Sequence, residues 1–476
     1  MIQAPGRSRA TLLALIVAAL ITIPAADSLY RVPVQVSDSL EPIIVAQKAG
    51  STLSLLENSI TFSPTTFRPS RYLQARWLLQ VADTTGLTYN AIFRGVHVAL
   101  LVLLVLLFLL AVRVRDWTDL AALTVAFPVL IGIHTFVAML LEAFPVNHYA
   151  EIGACALAVF VLAQRPPRWF VPVVVCVLLG CALSVVESGA MVWITAICCA
   201  AAGLPGIKRS TVLATTVMFA GYLVLRHALG IVSPGIGGHG SGFGATFYSA
   251  EELAQRFGAH PLGFMLYNVA GGLASLLFSE PRNGVYSLLI AWRDREIHPV
   301  VLINILSSLA TTSLLVWYAV TRVSTKRSAW SHAERAFAAA AAVFLINALL
   351  TAVYIKDEII SVGGLFYAVC TFIAVRALIE SLPRRSGAVA FLMTLFLATD
   401  AALWTFRVAG VHYQLRYDAF KIRNDWVEVL REDKRDDWPH DRPELALTRR
   451  LRGEALERRT TSPSFMPRWG DRYWVE

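Results

Sequence analysis

The chain is 476 residues long, 56% hydrophobic and only 16% charged, with a mean hydropathy of +0.58, which excludes a set of ordinary soluble domains and places it in the membrane class. Its net charge of +9 does not indicate a nucleic-acid partner, because Lys and Arg occur as short clusters between apolar runs, the pattern that holds loops on the cytoplasmic side. All six cysteines (Cys155, Cys176, Cys181, Cys198, Cys199, Cys370) lie in apolar runs without metal-ligand spacing and read as small buried hydrophobes.

Residues 1 to 10 are short and basic, and Thr11 to about Ala26 form an apolar run. The small residues of Pro24-Ala25-Ala26-Asp27 would suit cleavage of a signal peptide. With so many further apolar runs, 1–29 is read instead as an uncleaved first span with a cytoplasmic N-terminus. Residues 30–90 form a large first outer loop. It opens on Tyr30 to Pro42, where Asp38 and Glu41 stand three residues apart ahead of an amphipathic run of Leu40, Ile43, Ile44 and Gln47. Further on, Thr66 to Leu79 has Tyr72, Ala75 and Leu79 along one side and Arg and Trp at its edge, the make-up of an interfacial helix.

The most apolar run, from about Ala91 to Ala111, is closed by Arg113-Val114-Arg115-Asp116. Spans follow near 118–141, 148–164, 169–186, 190–204 and 211–230. The glycine-rich stretch from Pro234 to Gly244 lacks the Gly-Lys-Ser/Thr ending of a phosphate-cradling loop and reads as a mobile outer loop. Residues 262–280 are apolar enough to cross, but crossing would put the basic segment Arg322 to Arg335 outside. The stretch 262–296 is therefore read as a hairpin or interfacial pair within an outer loop at 231–298. Spans near 299–321, 334–354, 359–379 and 387–408 complete a bundle over 91–408. The expected fold is all-α, a polytopic transmembrane helical bundle of about 11 spans with an outer C-terminus, or 12 with an inner one. In the segment 409–476 composition changes: from Val411 onward 14 Lys and Arg stand against 13 Asp and Glu, so this is no polybasic nucleic-acid arm. It is expected to be a charged appendage packed on the outer face.

An N-terminal span, a large outer loop with acids immediately after it, two surface-lying helices and many further spans: this arrangement resembles the GT-C superfamily of integral-membrane glycosyltransferases, which includes the protein O-mannosyltransferases and the lipid A aminoarabinose transferases. The matching residues are Asp38, Glu41 and the aromatic-Arg-Pro element Phe67-Arg68-Pro69. The match covers the N-terminal third, and beyond it only hydropathy agrees. The superfamily's acidic pair is usually adjacent, whereas two residues intervene here. The resemblance implies an inverting transfer of a sugar from a polyprenyl-phosphate carrier to an acceptor, in a multi-pass protein of the bacterial inner membrane whose site faces the periplasm.

Such a transfer needs a base near the nucleophile and positive charge to hold the departing phosphate. Asp38 is the candidate base, and Glu41 a second carboxylate that orients the acceptor or raises its partner's pKa. Asp38-Ser39-Leu40-Glu41 is equally a capping-box pattern, and a capping carboxylate can also be catalytic, so both readings stay open. Arg68, Arg71 and Arg76 are forks suited to phosphate, or headgroup anchors. Lys356 and Asp357 supply a carrier-phosphate lysine beside an acid, or form an ordinary polar turn. His148 and Glu151 stand where superfamily members place a second polar group facing the cavity, or are an interfacial His and a helix-start carboxylate; Glu187 reads the same way. Asp400 and Arg407, two turns apart, are expected to pair inside the bundle.

No cofactor is expected. Asp38 and Glu41 could hold a divalent metal, but no His-rich cluster completes a shell. The expected partners are the lipid-linked sugar donor and membrane lipids, with the acceptor left open. The alternatives are a multi-span transporter or flippase for a lipid-linked substrate and a non-catalytic envelope scaffold. Transporters commonly show duplicated halves, broken helices or midplane charges, against which the large first loop stands.

Overall fold

A computed structural model of the chain describes residues 5–36, 39–62, 68–141, 148–231, 241–243, 246–248, 251, 252, 255, 261–278, 291–297, 299–324, 327–352, 356–428, 443–458 and 460. The first span, α1 (Pro5–Arg31), is followed by three loop helices, α2 (Leu40–Lys48), α3 (Thr52–Phe62) and α4 (Pro69–Thr85), before the chain enters the bundle again as α5 (Tyr89–Val112). Then come α6 (Trp117–Gly132), α7 (His134–Leu141), α8 (His148–Ala163), α9 (Val171–Val185), α10 (Ala190–Ala202) and α11 (Arg209–Ala228). After a short hairpin of β1 (Ser241–Phe243) and β2 (Thr246–Tyr248) follow α12 (Pro261–Phe278), α13 (Pro299–Tyr318), α14 (His332–Leu349) and α15 (Asp357–Ser381). The 42-residue α16 (Gly387–Glu428) and α17 (Pro443–Glu457) complete the described chain.

This is an all-α polytopic helical bundle. Seven helices, α1, α5, α11, α13, α14, α15 and α16, are long and apolar enough to cross a membrane. α6 and α7 qualify together as one span bent by 54°, and α8, α9, α10 and α12 are apolar but shorter. Side chains such as Leu20, Val173, Val217 and Leu392 point outward from the perimeter, which suits a hydrocarbon solvent and not water.

Contacts at the helix ends fix the direction of each crossing. At one end, the basic end, Arg113 donates to the Gln164 carbonyl at 2.6 Å and Arg335 to the Gly203 carbonyl at 3.1 Å, while Arg376 pairs with Asp119. At the other, the loop end, Gln74 of α4 meets Glu151 of α8, and Glu187, between α9 and α10, joins Arg68 to Arg226. Helix starts carry local caps: Thr88 accepts from Ala91, Asp116 from Asp119, and Ser331 with Glu334 forms a capping box. With α6 and α7 counted as one, eleven helical segments among the described residues run between these two ends, and seven of them, or eight with the bent pair, are long and apolar enough to cross a membrane.

α12 is not one of them. It enters at the loop end, where Asn268 donates to the Ala352 carbonyl at 3.1 Å, and its Leu277 carbonyl accepts from Thr312, well inside the bundle. α13 starts again at the loop end, because its Asn304 meets Arg407 while its far end, Tyr318, packs on Phe337 of α14. The chain thus returns to the end from which it came. Arg322 and Arg335 thereby keep to the basic end.

The charges of Asp400 and Arg407 in α16 act on each other inside the bundle, and both also bond to α13: Thr311 donates to Asp400 at 3.1 Å, and Arg407 donates to the Ser307 and Ser308 hydroxyls at 3.1 and 3.0 Å. The Arg407 guanidinium lies over the Trp404 ring, 4.3 Å from its centroid, and the Trp404 ring N–H donates to the Thr311 hydroxyl at 2.8 Å.

Between α1 and α2 the chain runs extended, and its backbone groups cannot satisfy one another. Side chains from two distant helices take them. Arg94 of α5, fully buried, donates to the Val32 and Pro33 carbonyls at 2.8 and 2.9 Å; Asn90 accepts from the Val34 N–H at 2.7 Å; Trp426 of α16 donates to the Val34 carbonyl at 2.6 Å. Gln35 in turn donates to the Leu141 carbonyl at the end of α7. α17 is tied down beside this strap through Glu454 to Asn90 and Arg450 to Asp83.

Replacing Arg94 with Met leaves two buried carbonyls without donors, at roughly 1–3 kcal/mol each. Thermal unfolding in detergent is expected to drop by several degrees, and an unchanged melting point would show the strap to be held without Arg94. Accessibility tags placed after Gly86 and after Glu457 are expected to report the same side of the membrane.

Candidate functional site

The loop end is where the loop helices meet the bundle, and the foot of α4 is its most polar part. Pro69 occupies the first position of α4, where its fixed φ is already helical, and forces Arg68 before it out of the helix, at φ −130°. The Arg68 side chain therefore reaches sideways to Glu187. Glu187 sits in the tight 3-10 turn 187–189 that joins α9 to α10, outside both helices. That turn depends on Gly189, where a Cβ would lie 2.3 Å from the Ala182 backbone.

Glu187 holds two guanidiniums. Arg68 meets one carboxylate oxygen at 3.0 Å and Arg226 of α11 the other at 2.8 Å; Arg226 also donates to the Tyr222 hydroxyl at 3.1 Å. Burial alone would raise the Glu187 pKa, but the Arg68 charge and the bonds to Arg226 outweigh it and hold the carboxyl below its ordinary value. Six residues beyond Arg68, Gln74 donates to Glu151 at 2.9 Å and to Ser70 at 3.0 Å. Two atoms of this cluster are buried without a hydrogen-bond partner among the described residues: the Arg68 Nε–H and the Gln74 carbonyl oxygen. A donor and an acceptor left open at the foot of one helix are what a bound polar ligand would complete.

A second polar group lies where α7, α12 and α15 meet. His134, the first residue after the α6–α7 bend, has its Nε2 3.1 Å from the Ser275 hydroxyl and 3.7 Å from Asp357. Both neighbours face the same ring nitrogen, so this is not the relay in which a carboxylate orients the opposite nitrogen.

The sequence candidates divide accordingly. Arg68 is brought to Glu187, and Glu151 of α8 is brought to Gln74 of α4. Arg71 is buried in α4 beside Tyr72, which corrects its reading as a headgroup anchor, and Arg76 donates to the Ala49 carbonyl within the loop helices. Lys356 and Asp357 begin α15, with Asp357 near His134. Glu41 is exposed in the first turn of α2. That helix starts at Leu40 with Ser39 before it and no cap bond from the Ser39 side chain; the capping-box reading rests on Asp38, which lies outside the described residues. Asp38, Phe67, the His148 side chain and most of the glycine-rich stretch lie outside the described residues. Gln74, Arg226, Tyr222 and His134 had no signal in the sequence beyond being polar within or beside apolar runs. No group of three or more His, Cys, Asp or Glu among the described residues is placed to hold a metal ion.

No protein family, curated protein or solved structure matches this chain. The geometry alone generates a stability prediction. Glu187→Gln unpairs two guanidiniums and is expected to cost on the order of 2 kcal/mol at neutral pH. Because the folded carboxyl is held below its ordinary value of 4.5, this difference from wild type should persist down to about that pH and shrink as pH falls further. Paired melting curves in detergent from pH 7 to pH 3 check it.

Proposed function

We propose that the protein is a GT-C-type integral-membrane glycosyltransferase that moves a sugar from a polyprenyl-phosphate donor to an acceptor at the loop end. The positive-inside rule puts that end outside the cytoplasm, which for a bacterial inner membrane is the periplasmic face. In this reading Asp38 takes the proton of the acceptor hydroxyl or amine. The nucleophile attacks the sugar's anomeric carbon, the bond from that carbon to the phosphate oxygen breaks, and the configuration inverts. Glu41 and Glu151 orient the acceptor, and Arg68 holds the departing lipid phosphate, with Arg71, His148, Lys356 and Asp357 as further contacts around the same end.

The observation that carries the reading is that the foot of α4 presents an open Arg68 Nε–H and an open Gln74 oxygen, with Arg68 paired to Glu187 and Gln74 to Glu151. A guanidinium with a free donor at a membrane boundary suits a lipid phosphate. The test is release of sugar from polyprenyl-phosphate donors by purified protein, comparing wild type with Asp38→Asn, Glu41→Gln, Glu151→Gln and Arg68→Lys. Asp38→Asn and Arg68→Lys are each expected to lower turnover by roughly 10²-fold or more with folding intact. Unchanged release in all four variants defeats the proposal.

A second reading, a transporter or flippase for a lipid-linked substrate, is favoured by a separate set of observations: the 54° break between α6 and α7, the partly penetrating α12, and the buried Asp400 and Arg407. Reconstituted vesicles separate the two. Movement of labelled polyprenyl phosphate between leaflets without bond cleavage, lost in Asp400→Asn but not in Asp38→Asn, would establish transport.

A further inference from the structure

The basic end contains a cavity of about 410 Å³ among α5, α8, α13, α14 and α15, with Arg113, Arg115, Arg322 and Arg376 on its walls beside Asp119 and Glu334. A second hollow, of about 310 Å³, lies on the outer surface between α1 and α5 and is apolar along Ala14, Leu15, Leu106, Leu109 and Leu110. Arg113 and Arg115 line both, and Arg165 stands at the second. An apolar groove open to the bilayer therefore ends at guanidiniums that also face a polar cavity.

The acids there are already engaged. Arg376 pairs with Asp119 and, at 3.0 Å, with Glu380, while Glu334 closes the cap of α14 with Ser331. Arg113, Arg115 and Arg165 have no carboxylate within ion-pair reach among the described residues. Arg113 donates to the Gln164 carbonyl, and its buried Nε–H has no partner. Burial, followed by the charges of Arg165 and Arg115, holds the Arg113 pKa below its ordinary value, as expected of cations that crowd one another uncompensated. The backbone of Arg113 adds an independent sign: at φ 55° it ends α5 in the left-handed region where helices ordinarily use glycine. Strain of this kind is tolerated where a side chain is needed.

We propose that this end of the bundle binds an anionic phospholipid, with its phosphate held by Arg113, Arg115 and Arg165 and one acyl chain laid along Leu106, Leu109 and Leu110. The guanidiniums supply forks for phosphate oxygens, and the groove supplies an apolar bed of the right polarity directly beside them. By the positive-inside rule the ligand comes from the cytoplasmic leaflet. The inference rests on the fold and is independent of the transferase reading.

The test uses full-length protein, delipidated in detergent, with binding read by native mass spectrometry and by the shift in melting temperature. The probes are phosphatidylglycerol, phosphatidylcholine, neutral diacylglycerol and soluble glycerol phosphate. Phosphatidylglycerol is expected to bind best and to raise the melting temperature. The double variant Arg115→Gln/Arg165→Gln, at two exposed positions, is expected to weaken it by roughly five-fold per guanidinium removed. Leu110→Trp, at the exposed edge of the groove, is expected to weaken phosphatidylglycerol with the arginines intact. Equal binding of phosphatidylglycerol and phosphatidylcholine, or unchanged affinity in the double variant, overturns the headgroup assignment. Glycerol phosphate binding as tightly as the lipid, or no effect of Leu110→Trp, overturns the groove.

Discussion

The architecture turns on one requirement of a chain surrounded by hydrocarbon: any backbone that is not helical must find its hydrogen bonds in side chains. The segment from Val32 to Val36 is the first place where this matters. Arg94, a charged side chain with no exposed surface, is held in the bundle because two carbonyls need it, and Asn90 and Trp426 complete the set. This small network ties α1, α5, α7 and α16 together at one level. It also fixes where the chain leaves the bundle for the loop helices, so the foot of α4 inherits its position from it.

The remaining buried polar groups obey the same rule in two different ways. Where α12 and α14 meet, amides and hydroxyls bond mainly to main-chain atoms, as Asn268 and Thr351 do, so these contacts hold helices in register. Along α13 and α16, by contrast, Asp400 and Arg407 are supplied by a row of hydroxyls, and one Asp400 oxygen has no partner among the described residues. An intramembrane carboxyl only partly satisfied is expensive. That distinction separates scaffolding polarity from polarity that awaits a use.

Much of the helical plan was legible in the sequence, because spans are written in apolar runs and their direction in the placement of Lys and Arg. The charge bias alone kept 262–280 from being counted as a crossing, and the path of α12 is of that kind. What hydropathy could not convey was who meets whom. Arg68 and Glu187 are 119 residues apart, and nothing local in either marks the other. Reading Arg71 as a surface anchor failed for the same reason: α4 buries the face that carries Tyr72 and Ala75, and Arg71 goes in with it. Asp400 and Arg407 were recognisable as buried charges, but their partners come from α13, whose serines and threonines read as ordinary small residues of a span.

The bond from Trp426 to the Val34 carbonyl joins residues 392 positions apart, and the bonds from Glu454 to Asn90 join residues 364 apart. At ordinary rates of synthesis the second partner of each arrives on the order of tens of seconds after the first. Until then the ribosome has delivered a strap held only by Arg94 and Asn90. The end of the molecule that begins first is therefore finished last, and chains stopped short of Trp426 leave the machinery of membrane insertion with an open seam at that end.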